Sequence, residues 1–151
     1  GPQEHHKGKM ASIFYQLYHQ IMETGEARLF RGTDGLADGE QRRDFVYVGD
    51  VVRVNLHFFE HGGESGIYNC GTGVAHSYNE AARAVIAALG KGKIVYRDFP
   101  EVLRGKYQNY TQADTTALLA AGYDGGFTPM EEAVKEYCDF LTAGGYFSYA
   151  E

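Results

Sequence analysis

The shortness of the β-type segments is what most constrains this 151-residue chain. Apolar runs that favour strands lie at 29–30, 44–48, 66–70 and 94–96, and none exceeds five residues. A self-contained α/β domain is expected to alternate several longer apolar strands with helices. We therefore predict an α/β chain that forms one part of a larger fold.

The predicted helices carry recognisable ends. Gly25 and Gly90 follow helical patterns as stop signals, and Ser77 stands three residues before Glu80 in the spacing of a capping box. Asp50 is a candidate N-cap, and Thr128 begins a second capping-box pattern. The predicted helices run from 10 to the stop at 25, from 50 to 60, from 78 to 89, from 115 to 121 and from 129 to 142.

Charge and composition exclude several classes of function. The net charge is −6 and the longest basic run is Arg42–Arg43, which argues against nucleic-acid binding. No apolar run approaches the roughly 20 residues of a membrane span, and no secretory leader is visible, so a cytoplasmic protein is expected. In that compartment Cys70 and Cys138 are expected as reduced thiols.

Glycine and histidine patterns predict neither a nucleotide cradle nor a metal site. The GTG of 71–73 precedes a predicted helix, but His76 stands where a dinucleotide fingerprint needs its third glycine, so a structural turn is favoured. His57 and His61 lie one helical turn apart without a third ligand nearby, and no metal is expected.

Three side chains suggest ligand binding without deciding it. Arg43 ends a glycine-rich loop, where a guanidinium can clamp a phosphate; a surface salt bridge with Asp44 is the equal alternative. Lys7 precedes a helix and suits phosphate binding or acid–base chemistry, although a solvated lysine is the commoner case. Tyr107 stands beside a glycine turn and faces either a ligand or the core.

Four segments together carry a family resemblance. They are GPQEHHKGKMAS, RRDFVYVGDV, SGIYNCGTG and FPEVLRGKYQNYTQAD. The chain resembles the ADP-L-glycero-D-manno-heptose 6-epimerase family of extended short-chain dehydrogenases/reductases. The second and third segments are shared widely among sugar-nucleotide epimerases, whereas the first and last point to the heptose enzymes.

The resemblance implies a fold class: the α/β C-terminal substrate-binding half of an extended short-chain dehydrogenase/reductase, over 1–151, with late Rossmann segments. The N-terminal Rossmann half, which in that family binds NADP and supplies a Tyr-x-x-x-Lys pair, is expected to be absent. Consistent with this expectation, no tyrosine here is followed by lysine four positions later.

The resemblance also implies roles for individual residues. Lys7 matches the second catalytic acid/base, which also contacts the cofactor. Arg43 and Tyr107 match contacts on the diphosphate side of the substrate. Lys9 and Gln16 occupy substrate-contact positions where the family carries a small hydroxyl residue and a histidine. The stretch lining the ADP moiety comprises Phe30, Arg31, Gly32 and Thr33.

The implied reaction inverts C6 of the heptose in ADP-D-glycero-D-manno-heptose for lipopolysaccharide inner-core synthesis. Its implied partners are the ADP-heptose substrate, NADP and further copies of the enzyme in a homo-oligomer. Because the fingerprint and the Tyr-x-x-x-Lys pair are missing, this chain alone is predicted to be inactive. The alternative is a non-catalytic sugar-nucleotide-binding or assembly module.

Overall fold

The computed structural model describes residues 1–145, which form two small sheets and five α-helices. The helices are α1 (Ile13–Thr24), α2 (Val48–His61), α3 (Tyr78–Leu89), α4 (Thr116–Ala120) and α5 (Met130–Thr142). The strands are β1 (Glu26–Phe30), β2 (Arg42–Arg43), β3 (His76–Ser77) and β4 (Lys93–Arg97), and short 3₁₀ segments cover His5–Met10 and Glu101–Leu103. The predicted α/β class is confirmed.

The strands form two separate pairs. β1 and β4 run parallel in register from Glu26 opposite Lys93 to Phe30 opposite Arg97. β2 pairs antiparallel with β3, and Arg42 also bridges to Tyr110. The predicted strands at 29–30 and 94–96 are thus confirmed as parts of β1 and β4.

The main core lies where α1, α3 and α5 pack on β1. Alanines line the inner face of α3, and small side chains let neighbouring helices approach closely. A second cluster joins α2 to the segment around α4. The main core includes Leu17, Ile21, Ala27, Ala81, Val85, Val134 and Cys138, and the second cluster centres on Val54, Leu118 and Tyr123.

Local end signals are confirmed where the sequence predicted them most simply. Gly25 and Gly90 are left-handed, with φ of 72° and 65°, and end α1 and α3. The Ser77 side chain accepts from the Glu80 amide at 3.1 Å, and the Glu80 carboxylate accepts from the Ser77 amide at 2.6 Å. Both arms of the predicted capping box are therefore formed.

Two predicted strands are wrong. The segment 44–48 is not a strand: the β2 ladder ends at Arg43, the Asp44 carboxylate binds the GTG turn, and α2 begins at Val48. The segment 66–70 is not a strand: Ile67 is fully exposed, while Tyr68 and Cys70 pack against the second cluster.

One predicted helix start and two predicted caps are wrong. α1 begins at Ile13, because the residues before it form a 3₁₀ segment kinked at Gly8. Asp50 is no N-cap but a fully buried residue inside α2, paired with Arg53. Thr128 donates its hydroxyl to Asp50 at 2.7 Å and therefore does not cap α5.

Both cysteines are free, as predicted. Within residues 1–145, no helix is long and apolar enough to cross a membrane.

Candidate functional site

The candidate site centres on an arginine–aromatic cluster formed by Phe30, Arg43, Arg97, Phe99 and Tyr107. The ring centroid of Phe30 lies 5.2 Å from that of Phe99 and 6.4 Å from that of Tyr107. The Arg97 guanidinium lies 4.6 Å from the Phe30 ring centroid, and that of Arg43 lies 5.1 Å from the Tyr107 centroid. Two cations thus cover the faces of two rings.

Strand register explains why these residues meet. Phe30 and Arg97 are the last register partners of the parallel β1–β4 pair. Arg43 lies on β2, and Tyr107 follows the second 3₁₀ segment, so separate chain segments converge at one place.

Backbone carbonyls orient the Arg43 guanidinium. It donates to the carbonyl of Arg42 at 2.8 Å and also to the carbonyl of Gln108. Asp44 is the alternative partner predicted from the sequence, yet its carboxylate accepts only from 72, 73 and 113 among the described donors. The predicted salt bridge between Arg43 and Asp44 is therefore wrong. Phosphate binding by Arg43 stays a prediction.

The Tyr107 phenol is fixed as a neutral group. Its hydroxyl donates to the Tyr78 hydroxyl at 2.9 Å. Burial, reinforced by the bond to Tyr78, raises the pKa of Tyr107 far above its ordinary value. Tyr107 can therefore orient a neighbouring group at neutral pH but does not ionise there.

The loop after β1 carries the other residues that the resemblance assigns to ADP. Arg31 pairs with Asp98 at 3.2 Å and with Asp38 at 3.5 Å. The Gly32 amide donates to Asp38 at 2.9 Å, and a Cβ at Gly32 would meet the Leu36 carbonyl oxygen at 1.8 Å. A glycine is therefore needed for this tight loop.

The first segment and α1 contribute the remaining predicted residues. Lys7 is exposed in the 3₁₀ segment, and its amide donates to the Glu4 carbonyl at 3.0 Å. Lys9 lies in the same segment, but its side chain is outside the described part. Gln16 on α1 donates to the Ala11 carbonyl at 2.8 Å and lines a cavity of about 100 Å³ with Phe30 and Arg97.

A larger cavity of about 340 Å³ shares Ile13 and Tyr78 with the smaller one. Arg43, Tyr47 and Tyr137 contribute polar groups to its wall, which is otherwise mostly apolar. The Tyr47 hydroxyl donates to Glu136 at 2.7 Å, and burial together with that bond raises the pKa of Tyr47 to about 12. Of the predicted site residues, Gln16 and Phe30 thus line the smaller cavity and Arg43 lines the larger one. Tyr107 contacts Phe30 and Arg43 but, like Lys7, lines neither cavity.

The sequence did not reveal the role of Asp44. Its carboxylate accepts from the Thr72 amide (2.9 Å) and hydroxyl (2.6 Å), the Gly73 amide (2.9 Å) and the Ala113 amide (3.0 Å). Although burial alone raises the pKa of Asp44, these hydrogen bonds lower it below its ordinary value. Two amides of the GTG turn donate to Asp44, which confirms the predicted structural turn.

Glu4 and Asp50 were also missed as structural carboxylates. Both are buried, and each binds residues far away in sequence. No spacing of residue types along the sequence predicts such long-range hydrogen bonds. Across the described residues, no three potential ligands gather as a metal site.

Comparison with known proteins gives concordant results. The NAD dependent epimerase/dehydratase family matches residues 1–71. The chain is 54% identical over 139 residues to the ADP-L-glycero-D-manno-heptose-6-epimerase of Alkalilimnicola ehrlichii, covering 92% of the chain and 43% of the relative. It is 47% identical over 156 residues to that of Thiobacillus denitrificans, covering 93% and 47%.

Solved structures agree in fold. The crystal structure of the Helicobacter pylori ADP-L-glycero-D-manno-heptose-6-epimerase superposes with a TM-score of 0.78 at 32% identity, covering 95% of the chain and 41% of the enzyme. Thermus thermophilus UDP-glucose 4-epimerase gives a TM-score of 0.73 at 24% identity, covering 95% of the chain and 44% of that enzyme. The fold is therefore α/β, Rossmann-like and of the epimerase type. The chain spans less than half the length of each of these relatives, and the resemblance expected from its motifs is confirmed.

Proposed function

The chain is related to the NAD dependent epimerase/dehydratase family, and from this premise we propose that it forms the substrate-binding half of an enzyme that epimerises an ADP-heptose. Residues 1–151 would be the C-terminal half, with late Rossmann segments, and the NADP-binding half would lie outside them. The reaction would invert C6 of the heptose in ADP-D-glycero-D-manno-heptose for lipopolysaccharide inner-core synthesis. The enzyme would act in the cytoplasm as a homo-oligomer.

The arginine–aromatic cluster is the observation that carries this proposal. An ADP-sugar offers a flat purine and a diphosphate, and the cluster offers two half-buried rings, those of Phe30 and Tyr107, each with a guanidinium group beside it. A guanidinium fork matches phosphate oxygens in two parallel hydrogen bonds. We assign Arg43 and Tyr107 to the diphosphate and the loop 30–33 to the remainder of ADP, with Gln16 and Lys9 toward the sugar.

A nicotinamide cofactor would supply the hydride chemistry of such an enzyme. The GTG turn does not fit a dinucleotide phosphate, because Asp44 already binds two of its amides. We therefore assign the cofactor cradle to the other half of the enzyme.

Lys7 is the group of this chain that we assign to proton transfer. Oxidation and reduction at one carbon exchange a proton at its oxygen, and inversion presents that oxygen on either face of the site. A second acid/base is then needed beside the one supplied by the cofactor half. The exposed position of Lys7 on a turn before α1 leaves its ammonium group free to reach a bound sugar.

The second candidate is a non-catalytic module that binds sugar nucleotides or assembles with a partner. It is favoured by the absence of a Tyr-x-x-x-Lys pair from the 151 residues. The epimerase would bind the ADP-sugar and convert it, whereas the non-catalytic module would bind it without turnover.

Proton NMR of the heptose signals separates the two functions. The full-length protein containing this chain, given ADP-D-glycero-D-manno-heptose and NADP, should convert it into a mixture of both C6 epimers. The isolated chain should leave the ratio unchanged. Binding of the ADP-sugar without turnover by the full-length protein would establish the non-catalytic module, and turnover by the isolated chain would refute the assignment of residues 1–151 to a half-enzyme.

A further inference from the structure

Glu4 is a buried carboxylate that the reaction does not use directly. Its relative exposure is 5%, although it lies beside the exposed residues His5 to Gly8. A buried charge is costly unless hydrogen bonds satisfy it. The partners of Glu4 therefore indicate its purpose.

Three hydrogen bonds tie the Glu4 carboxylate to two helices. It accepts from the Ser12 amide and the Ser12 hydroxyl, both at 2.6 Å, and from the Tyr137 hydroxyl at 2.7 Å. Ser12 is the N-cap of α1 and accepts from the Tyr15 amide at 3.3 Å. Tyr137 is a buried residue of α5.

Lys7 lies on the chain segment that these bonds enclose. The Glu4 carbonyl accepts from the Lys7 amide at 3.0 Å, and the Gly8 carbonyl accepts from the Ala11 amide at 3.1 Å. Gly8 has φ 52° and ψ −123°, a conformation that favours glycine and turns the chain sharply. The segment 5–11, here called the lysine segment, thus has both ends joined through one carboxylate.

We propose that Glu4 is the positioning residue for Lys7, holding the lysine segment against α1 and α5. Most of the segment is exposed and has little packing of its own, so its position depends on its ends. This inference rests on the proposed function, because Lys7 needs a fixed position only if it exchanges a proton with the substrate.

The charge state of Glu4 fits this role. Burial alone raises its pKa, but the hydrogen bonds from Ser12 and Tyr137, together with the ammonium group of Gly1 at 3.2 Å, outweigh burial and lower the pKa to about 2. Glu4 is therefore an acceptor for all three donors throughout the neutral range. Glu4→Gln keeps the shape but removes the charge and points an NH₂ group at a donor.

Kinetics of a double-mutant cycle in the full-length enzyme test the proposal. Glu4→Gln should lower kcat roughly 10- to 100-fold with KM nearly unchanged, since misplacing a catalytic group by about 1 Å costs on that order. In a Lys7→Met background the same change should have almost no effect on kcat, because Glu4 acts through Lys7. An equal penalty in both backgrounds would show that Glu4 only stabilises the fold and would overturn the proposal.

Two further variants guard against a general loss of folding. Tyr137→Phe removes one donor and should give a smaller fall in kcat in the same direction. Glu80→Gln removes the carboxylate of the α3 capping box, far along the chain, and should leave kcat within about twofold. A fall with Glu80→Gln equal to that with Glu4→Gln would overturn the proposal.

Amide hydrogen exchange separates this inference from the proposed function. In Glu4→Gln, amides of 5–11 should exchange faster while those of 78–89 stay unchanged. If the wild-type enzyme lacks epimerase activity, the proposed function fails and the role of Glu4 toward a catalytic lysine fails with it. If the enzyme is active but exchange at 5–11 does not change, only the positioning role fails.

Discussion

The replacement Asp44→Asn tests whether one carboxylate holds the turn beside the candidate site. Asp44 accepts four hydrogen bonds, at 2.6–3.0 Å, from Thr72, Gly73 and Ala113. Asparagine keeps one acceptor oxygen, which can retain the two bonds from Thr72. Its NH₂ group then faces the amides of Gly73 and Ala113, which are also donors.

The expected cost follows from those two amides. Leaving a buried donor without an acceptor costs about 1–3 kcal/mol. The site is only half-buried, so we expect a total near 3 kcal/mol. With an m value of about 2 kcal/mol per molar urea, the midpoint of unfolding should fall by roughly 1.5 M at unchanged m.

Urea unfolding followed by circular dichroism measures this shift. Asp139→Asn is the matched control, because Asp139 is an exposed partner of Lys135 within α5 and its loss should leave the midpoint unchanged. If Asp44→Asn shifts the midpoint no more than Asp139→Asn does, the anchoring role of Asp44 is refuted.

Three further predictions concern the candidate site and the lysine segment. Replacing Arg43 with alanine should weaken ADP binding to the full-length enzyme by one to two decades in calorimetry, or about 1.5–3 kcal/mol, and replacement with lysine should already weaken it; an unchanged affinity would make Arg43 a surface residue. Lys7→Met should lower kcat by ~10²–10⁴ with little change in substrate KM, and Lys9→Met should cost far less; near-normal kcat with a raised NADP requirement would instead assign Lys7 to cofactor binding. Because the pKa of Glu4 falls from 4.5 to about 2 on folding, its stabilisation should be complete above pH 4.5 and lost as the pH falls toward 2; the urea midpoints of wild type and Glu4→Gln should converge over that range, and a gap independent of pH would contradict the assignment.

Local sequence signals predicted helix ends correctly where the hydrogen-bond partner lies within four residues along the chain. The Ser77–Glu80 capping box and the left-handed Gly25 depend only on neighbours in the chain, and both are confirmed. Asp50 and Thr128 also looked like caps, yet they bind each other across 78 positions. Tertiary hydrogen bonds of this kind override a local pattern, because a buried carboxylate is costly unless hydrogen bonds satisfy it.

Long-range geometry similarly limited what the sequence predicted of the site. Arg43 and Tyr107 were each ambiguous alone, and only a family resemblance suggested that they share a ligand with Phe30. The structure brings them together at the ends of β1 and β2. The sequence suggested Arg43 as the partner of Asp44, because the actual partners at 72, 73 and 113 become neighbours only in the folded chain.

A crystal structure of the full-length protein with ADP-heptose bound would test the proposed substrate site most directly. We expect the diphosphate to lie within about 2.7–3.2 Å of the Arg43 guanidinium, with the ADP beside Phe30 and Tyr107 and the heptose directed toward Lys7. An ADP-sugar bound away from this cluster, with Arg43 still donating to the Gln108 carbonyl, would contradict the assignment of residues 1–151 to substrate binding.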